Sequence, residues 1–208
     1  RFNKDEEARK KLMSQFNLHG ARKIAVWIPT NIKIKEEFMQ NILLWNKNVA
    51  DTFLDWDIII RPHPKTWNGA NGVSKVLNDL GFIIDKKPDQ DFEMLIKGAD
   101  LIIADYGDPV LSSIFLQKPV MLLNLPKGST YRTGQENSKA IDISVRQKII
   151  NFDPNSYVSI RSQIQSEEYL TELSNISKTI ANDIFGFEEQ RKKLAWPSLS
   201  TVINDLVS

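Results

Sequence analysis

Cysteine is absent from this sequence, histidine occurs only twice, and no apolar run approaches the length of a membrane-spanning helix. Without cysteine, the chain can form neither disulfides nor thiolate metal sites, which agrees with a reducing compartment. A spanning helix needs about 20 apolar residues, so we predict no transmembrane segment, and we recognise no signal peptide. The net charge of +1 over 208 residues gives no overall attraction to nucleic acid or to a membrane surface.

Several common site motifs are also missing. No G-x-G-x-x-G follows the first predicted strand, so NAD binding is not supported, and the segment Lys127-Gly128-Ser129-Thr130 lacks the frame of a Walker phosphate loop. The sequence contains no G-x-S-x-G nucleophile elbow and no H-E-x-x-H, and two distant histidines make a poor zinc site. We therefore predict neither a bound metal nor a cofactor.

Short apolar runs alternate with amphipathic stretches in the sequence before Asn124. Continuous apolar runs are typical of strands buried on both faces of a parallel sheet, and apolar residues three and four apart are typical of helices. The runs predict strands over Ile24–Pro29, Asp57–Ile60, Phe82–Asp85, Leu101–Ala104 and Val120–Leu123. Helices are predicted over residues 4–16, 38–53, 73–80, 92–98 and 109–117. This alternation predicts an α/β fold, a Rossmann-like doubly wound parallel sheet.

After Asn124 the alternation weakens, and the sequence becomes polar and then helical. The pattern there predicts a polar loop over residues 126–137, a strand over 140–143 and a short helix over 144–151. Helical spacing dominates from residue 153 to the C-terminus. We therefore predict that residues 1–152 form the Rossmann-like domain and that residues 153–208 form a helical annex packed on it.

The second predicted strand leads into the segment R-P-H-P-K, residues 61–65. Its two prolines forbid a helix and keep the segment extended at the sheet edge. His63 could there hydrogen-bond a phosphate or donate a proton to a leaving group, with Arg61 and Lys65 adding positive charge. A loop histidine with a structural hydrogen bond explains His63 equally well. We interpret the other histidine, His19, as structural.

The fourth predicted strand ends in Asp105-Tyr106-Gly107-Asp108-Pro109, directly before a helix. Gly107 allows an unusual backbone angle, Asp108 can cap the helix, and Pro109 fits the first turn. Ligands of open parallel sheets bind at the carboxyl ends of strands, and the N–H groups at a helix start favour an anion such as a nucleotide diphosphate. A plain helix cap explains the same turn, and the Asp108 carboxylate would repel a pyrophosphate.

These two segments together resemble a known family. A strand followed by R-P-H-P and, further along, A-D-L-I-I-A-D-Y with a helix and K-P-V is similar to the C-terminal half of the CDP-glycerol glycerophosphotransferases. That family comprises teichoic-acid and capsule polymerases. The likeness covers about residues 5–124. It implies one Rossmann-like half of a GT-B fold, which holds a CDP-activated donor at the edge of the cleft.

In this resemblance His63 matches a histidine that contacts the donor phosphate or assists its departure, so His63 is the predicted catalytic residue. Asp105 and Tyr106 match the start of the family's D-Y-S-S turn, whereas Gly107 and Asp108 replace its two serines. The family's H-G-T-P motif, which carries its other catalytic histidine, has no counterpart in this sequence. The predicted donor-binding residues are Arg61, His63, Lys65, Asp105, Tyr106, Gly107, Asp108, Lys127 and Ser129.

The resemblance implies a transferase that moves glycerol phosphate or a sugar from a nucleotide-activated donor, such as CDP-glycerol, in cell-surface polysaccharide synthesis. The sequence starts with Arg1 and contains one Rossmann-like half, so we expect the donor-binding half of a longer enzyme, inactive without its N-terminal acceptor domain. We expect a cytoplasmic location at the inner face of the membrane, with membrane contact only through the missing parts, and no nucleic acid partner. Three alternatives stay open: another GT-B glycosyltransferase or an epimerase-like domain, each with a UDP- or CMP-linked donor, and a non-catalytic module.

Overall fold

The computed structural model describes residues 2–18, 20, 22–30, 40–64, 73–86, 91–136, 138–154 and 156–186. Six strands lie within these ranges: β1 Ile24–Ile28, β2 Asp57–Ile60, β3 Ile83–Ile84, β4 Leu101–Ala104, β5 Val120–Leu123 and β6 Asn151–Phe152. They form one parallel sheet in the order β3-β2-β1-β4-β5-β6. This is the order of a doubly wound nucleotide-binding fold, whose direction of winding reverses between β1 and β4. The predicted fold class is confirmed.

The described helices are α1 Phe2–Gln15, α2 Gln40–Thr52, α3 Val73–Asp79, α4 Phe92–Gly98, α5 Asp108–Phe115, α6 Gly128–Thr133, α7 Ile141–Ser144, α8 Arg161–Ile164 and α9 Glu167–Phe185. A single 3-10 turn, Val145–Gln147, follows α7 directly. All five predicted strands are present with their ends within one residue, and the short third strand lies at the edge of the sheet.

Strand β1 shows how the sheet divides the apolar core in two. Ala25 and Trp27 belong to one buried cluster, whereas Ile24, Val26 and Ile28 belong to another on the opposite face. Successive side chains of a strand point to opposite faces, so a strand covered by helices on both sides must be apolar throughout. The unbroken apolar runs of the central strands are therefore a direct consequence of their position.

Three predictions for the segment after β5 are wrong. Residues 140–143, predicted as a strand, enter helix α7, because the buried Asp142 turns inward and accepts a hydrogen bond from the Gly107 N–H. The predicted polar loop over residues 126–137 contains helix α6. In place of the predicted short helix over residues 144–151, the structure has the last residue of α7, the 3-10 turn and the first residue of β6. A two-residue strand such as β6 has no apolar run that would indicate it in the sequence.

Helix α9 packs along α5 and β5. The Ser166 side chain caps its start by accepting a hydrogen bond from the Tyr169 N–H at 3.3 Å, and Gly186 ends it in the left-handed region at φ 65°. Near its middle, Ser174 donates to the Gln117 carbonyl at 2.9 Å. The rest of the predicted helical annex, after residue 186, lies outside the described residues. A domain boundary at residue 152 stays a prediction.

Candidate functional site

The loops that follow β1 and β4 are joined where the winding of the sheet reverses. The Asp105 carboxylate, 2% exposed, accepts hydrogen bonds from the Thr30 N–H at 2.9 Å and from the Tyr106 N–H at 2.7 Å. A buried carboxylate needs such donors, and here they tie the end of one central strand to the end of the other. Asp105 therefore fixes the loops after β1 and β4 relative to each other, and they form a crevice at the sheet edge. Its direct contact with a donor stays a prediction.

Tyr106 is buried beneath the loop that leads into α6. Its hydroxyl faces the Leu125 N–H at 3.5 Å, and a side chain at Gly128 would overlap the same hydroxyl. Only glycine allows the loop to approach this closely. Lys127 precedes α6 in the left-handed region at φ 55° with its side chain exposed, and Ser129 lies in the first turn of the helix. The structure thus brings the backbone of Lys127 and Ser129 to the Tyr106 side of the sheet edge.

Arg146, which the sequence analysis did not single out, connects the ends of β4 and β5. Its guanidinium donates to the Asp105 carbonyl, to the Leu123 carbonyl at 3.1 Å and, through Nε, to Asn124 Oδ1 at 2.9 Å. It also lies over the Tyr106 ring, with Cζ 4.2 Å from the ring centroid. The planar fork of arginine suits several acceptors at fixed angles, so one side chain fixes both strand ends and the tyrosine.

Burial and nearby groups shift the pKa of the Arg146 guanidinium in opposite directions. Burial lowers the pKa of Arg146, and Tyr106, Asp105, Asp142 and Asp153 act in the opposite direction. An arginine keeps its proton throughout the physiological range. The positive charge is therefore surrounded by three carboxylates, and this side of the edge offers little net attraction to a further anion.

The start of α5 differs from the predicted cap. Gly107, not Asp108, is the N-cap residue, with φ 79°, and the unusual backbone angle predicted for this glycine is confirmed. Asp108 is the first helical residue and is exposed, and Pro109 follows it in the first turn. The Gly107 N–H donates to Asp142 Oδ2 at 2.8 Å, so a carboxylate from α7 takes the capping role that was predicted for Asp108.

The segment after β2 lies on the other side of β1. Arg61 Nε donates to Asp85 Oδ2 at 2.6 Å, with side chains 11% and 1% exposed, which ties the ends of β2 and β3 together. Its guanidinium also lies 5.8 Å from the centre of the Phe92 ring. His63 follows two residues later and is half-buried, while Lys65 and His19 lie outside the described residues.

The sheet therefore brings His63 and the Asp105–Asp108 turn to one edge. Neighbouring strands are about 4.8 Å apart, so the ends of β2 and β4, which flank β1, are separated by about 10 Å. That gap suits a ligand of nucleotide size lying across the end of β1. Within the described ranges, no three histidine, aspartate or glutamate side chains are grouped as metal ligands. Nor does any described helix have the length and apolar character needed to cross a bilayer.

Comparison with known proteins gives matches at the level of structure only. No family profile and no curated protein matches this sequence. The wall teichoic acid polymerase TagF is similar over 98% of this chain, at 17% identity and a TM-score of 0.62, and a TagF variant soaked with CDPG is similar at 16% identity and 0.56. This chain spans about half the length of TagF, covering 47% of it.

A second structural relative is a single domain rather than a longer enzyme. The C-terminal domain of a group 1 glycosyl transferase, LpcC from Francisella tularensis, matches 86% of this chain and 94% of its own, at 12% identity and a TM-score of 0.54. Identities this low establish the fold and nothing finer. The chain has the fold of a GT-B glycosyltransferase-like domain, one half of the two-domain architecture.

Proposed function

We propose that this chain is the donor-nucleotide-binding half of a transferase that moves glycerol phosphate or a sugar from a nucleotide-activated donor in cell-surface polysaccharide synthesis. One observation carries the proposal. The R-P-H-P histidine and the D-Y turn, distant in sequence, follow β2 and β4 and meet at one edge of the sheet. Since one fold hosts many functions, the proposal rests on this juxtaposition and not on the likeness to TagF alone.

In either transfer reaction the nucleotide leaves as a phosphate anion. His63, half-buried beside a strand end, would donate a hydrogen bond or a proton to that leaving group. Arg61 already shares its charge with Asp85, so we assign it a supporting part in holding the segment that carries the histidine. The exposed Lys127 lies beside the Tyr106 loop, on the β5 side of the edge, where it would contact a part of the donor other than its phosphates.

The chain covers about half of TagF, and we propose that a second domain supplies the acceptor site in a longer protein. Transfer by this chain alone is then not expected. We further propose that the complete enzyme works in the cytoplasm at the inner face of the membrane. A related candidate is a GT-B glycosyltransferase with a uridine nucleotide donor, favoured by the replacement of two family serines by Gly107 and Asp108.

Isothermal titration calorimetry with CDP, CMP, UDP and UMP tests the proposal. We expect binding with a preference for the cytidine nucleotides, and at least tenfold weaker CDP binding by His63→Ala, which corresponds to about 1.4 kcal/mol. Lys148→Ala, which removes an exposed lysine that pairs with Asp183 of α9 at 2.8 Å, is the matched control and should bind as the wild type does. A uridine preference supports the second candidate, and no heat with any of the four contradicts nucleotide binding.

A further inference from the structure

Most backbone N–H groups at the start of α5 are already bonded within the chain. The Tyr106 N–H donates to the preceding carboxylate at 2.7 Å, and the Gly107 N–H donates to Asp142 Oδ2 at 2.8 Å. Pro109 has no N–H, and the Val110 N–H donates to the Gly107 carbonyl at 3.1 Å. These bonds use the groups that make a helix start attractive to a phosphate.

Asp142 stands where an external anion would bind. Its side chain is only 4% exposed, and it lies on α7, four residues before Arg146 in the same cluster. A phosphate oxygen could accept the Gly107 N–H only if this carboxylate moved away. None of these bonds uses the N–H of Asp108, but this residue has an exposed carboxylate of its own. The negative charges of Asp108 and Asp142 together repel an anion that approaches this turn.

We propose that Asp142 is a specificity-determining residue of the site: its carboxylate fills the anion position at the start of α5, so that a ligand turns hydroxyl groups toward this turn. The phosphates of the ligand then lie on the β2 side of the crevice, near His63. Carboxylates accept hydrogen bonds from hydroxyls, and Asp108 is exposed to do so. The inference rests on the proposed function, because it specifies how a nucleotide-activated donor lies in that same site.

Calorimetry with inorganic pyrophosphate and with CDP tests this orientation. Asp142→Asn keeps an oxygen that can accept the Gly107 N–H but removes the negative charge. Asp153→Asn is the matched control, since Asp153 belongs to the same acidic cluster but follows β6 and accepts a hydrogen bond from Asn124 Nδ2 at 3.0 Å. We expect Asp142→Asn to bind pyrophosphate and CDP about tenfold more tightly than the wild type, or by about 1.4 kcal/mol. The control should change by less than about twofold, or roughly 0.4 kcal/mol.

A measurement on the wild-type protein covers the case in which Asp142→Asn does not fold. In nitrogen-15 NMR spectra, pyrophosphate should shift the His63 amide and leave the Gly107 amide in place. A large shift of the Gly107 amide, or equal tightening in the two variants, overturns the inference. The proposed function is tested separately, because a wild type that binds none of the four nucleotides contradicts it. If the wild type binds CDP but both variants behave alike, only the proposed orientation of the ligand is contradicted.

Discussion

Replacement of Arg146 by methionine tests whether one side chain holds the sheet edge together. Methionine keeps most of the apolar stem but removes every hydrogen bond of the guanidinium. Two backbone carbonyls, those of Asp105 and Leu123, and the Asn124 side-chain oxygen lose their donor. The stacking on Tyr106 at 4.2 Å is lost as well. The ends of β4 and β5 would then be joined by the sheet itself and by the contact between the Leu125 N–H and the Tyr106 hydroxyl.

The size of the effect follows from these contacts. Each acceptor left without a partner costs about 1–3 kcal/mol, and the low end applies because the site is partly open to water. Loss of the cation–π contact adds about 0.5–2 kcal/mol. We therefore expect Arg146→Met to lower the free energy of unfolding by about 3–5 kcal/mol, in the range seen when a buried charge network is broken.

Urea denaturation followed by tryptophan fluorescence measures this loss, since Trp27, Trp45 and Trp56 are buried in the core. Arg161→Met is the matched control: Arg161 pairs with Asp55 at 2.7 Å, but both side chains are exposed, so its loss should cost less than about 1 kcal/mol. Nucleotide binding by Arg146→Met should weaken in parallel. A variant within 1 kcal/mol of the wild type would refute the idea that Arg146 fixes the edge.

Three further predictions concern packing, charge and pH. Gly128→Ala should cost about 1–3 kcal/mol in thermal unfolding because its new methyl group overlaps a tyrosine hydroxyl, whereas Gly134→Ala, with open space at φ 75°, should cost about 1 kcal/mol from backbone strain alone. Asp85→Ala should cost about 3–5 kcal/mol by leaving Arg61 buried without this partner, and a small loss would show that the pair is dispensable. Burial raises the pKa of Tyr157, so the neutral phenol stabilises the fold below pH 10 and this contribution is lost as the pH rises through the folded pKa. Urea unfolding between pH 9 and about 11 should therefore show a shallower loss of stability for Tyr157→Phe than for the wild type, and identical slopes would contradict this assignment.

The sheet could be predicted from sequence because its strands are covered on both sides. A strand such as Ile24–Ile28 has no polar face, so its apolar run is unbroken and easy to distinguish from a helix. The two-residue β6 has no such run, and its place in the sheet depends on pairing with the end of β5. Residues 140–143 misled the prediction because Ile141 and Ile143 alternate with Asp142 as a half-buried strand would.

The candidate site could be predicted only where its residues follow a strand directly. His63 and the Asp105–Asp108 turn could be placed at one edge in advance because strand ends of a parallel sheet share an edge. Arg146 and Asp142 were missed because they come from a polar segment whose partners lie 22 to 41 residues away in sequence. An aspartate and an arginine four residues apart, next to a predicted sheet edge, are the only sequence signal they give.

The central claim is that a nucleotide binds across the carboxyl edge of this sheet, and an NMR titration of the wild-type chain with CDP tests it most directly. We expect the amide shifts to concentrate at His63 and at Asp105–Asp108, after β2 and β4. The second surface for comparison is the cavity of about 760 Å³ along α9, which includes Thr171 and Asn175. Shifts concentrated on that α9 surface, or no shifts at saturating CDP, would contradict the claim.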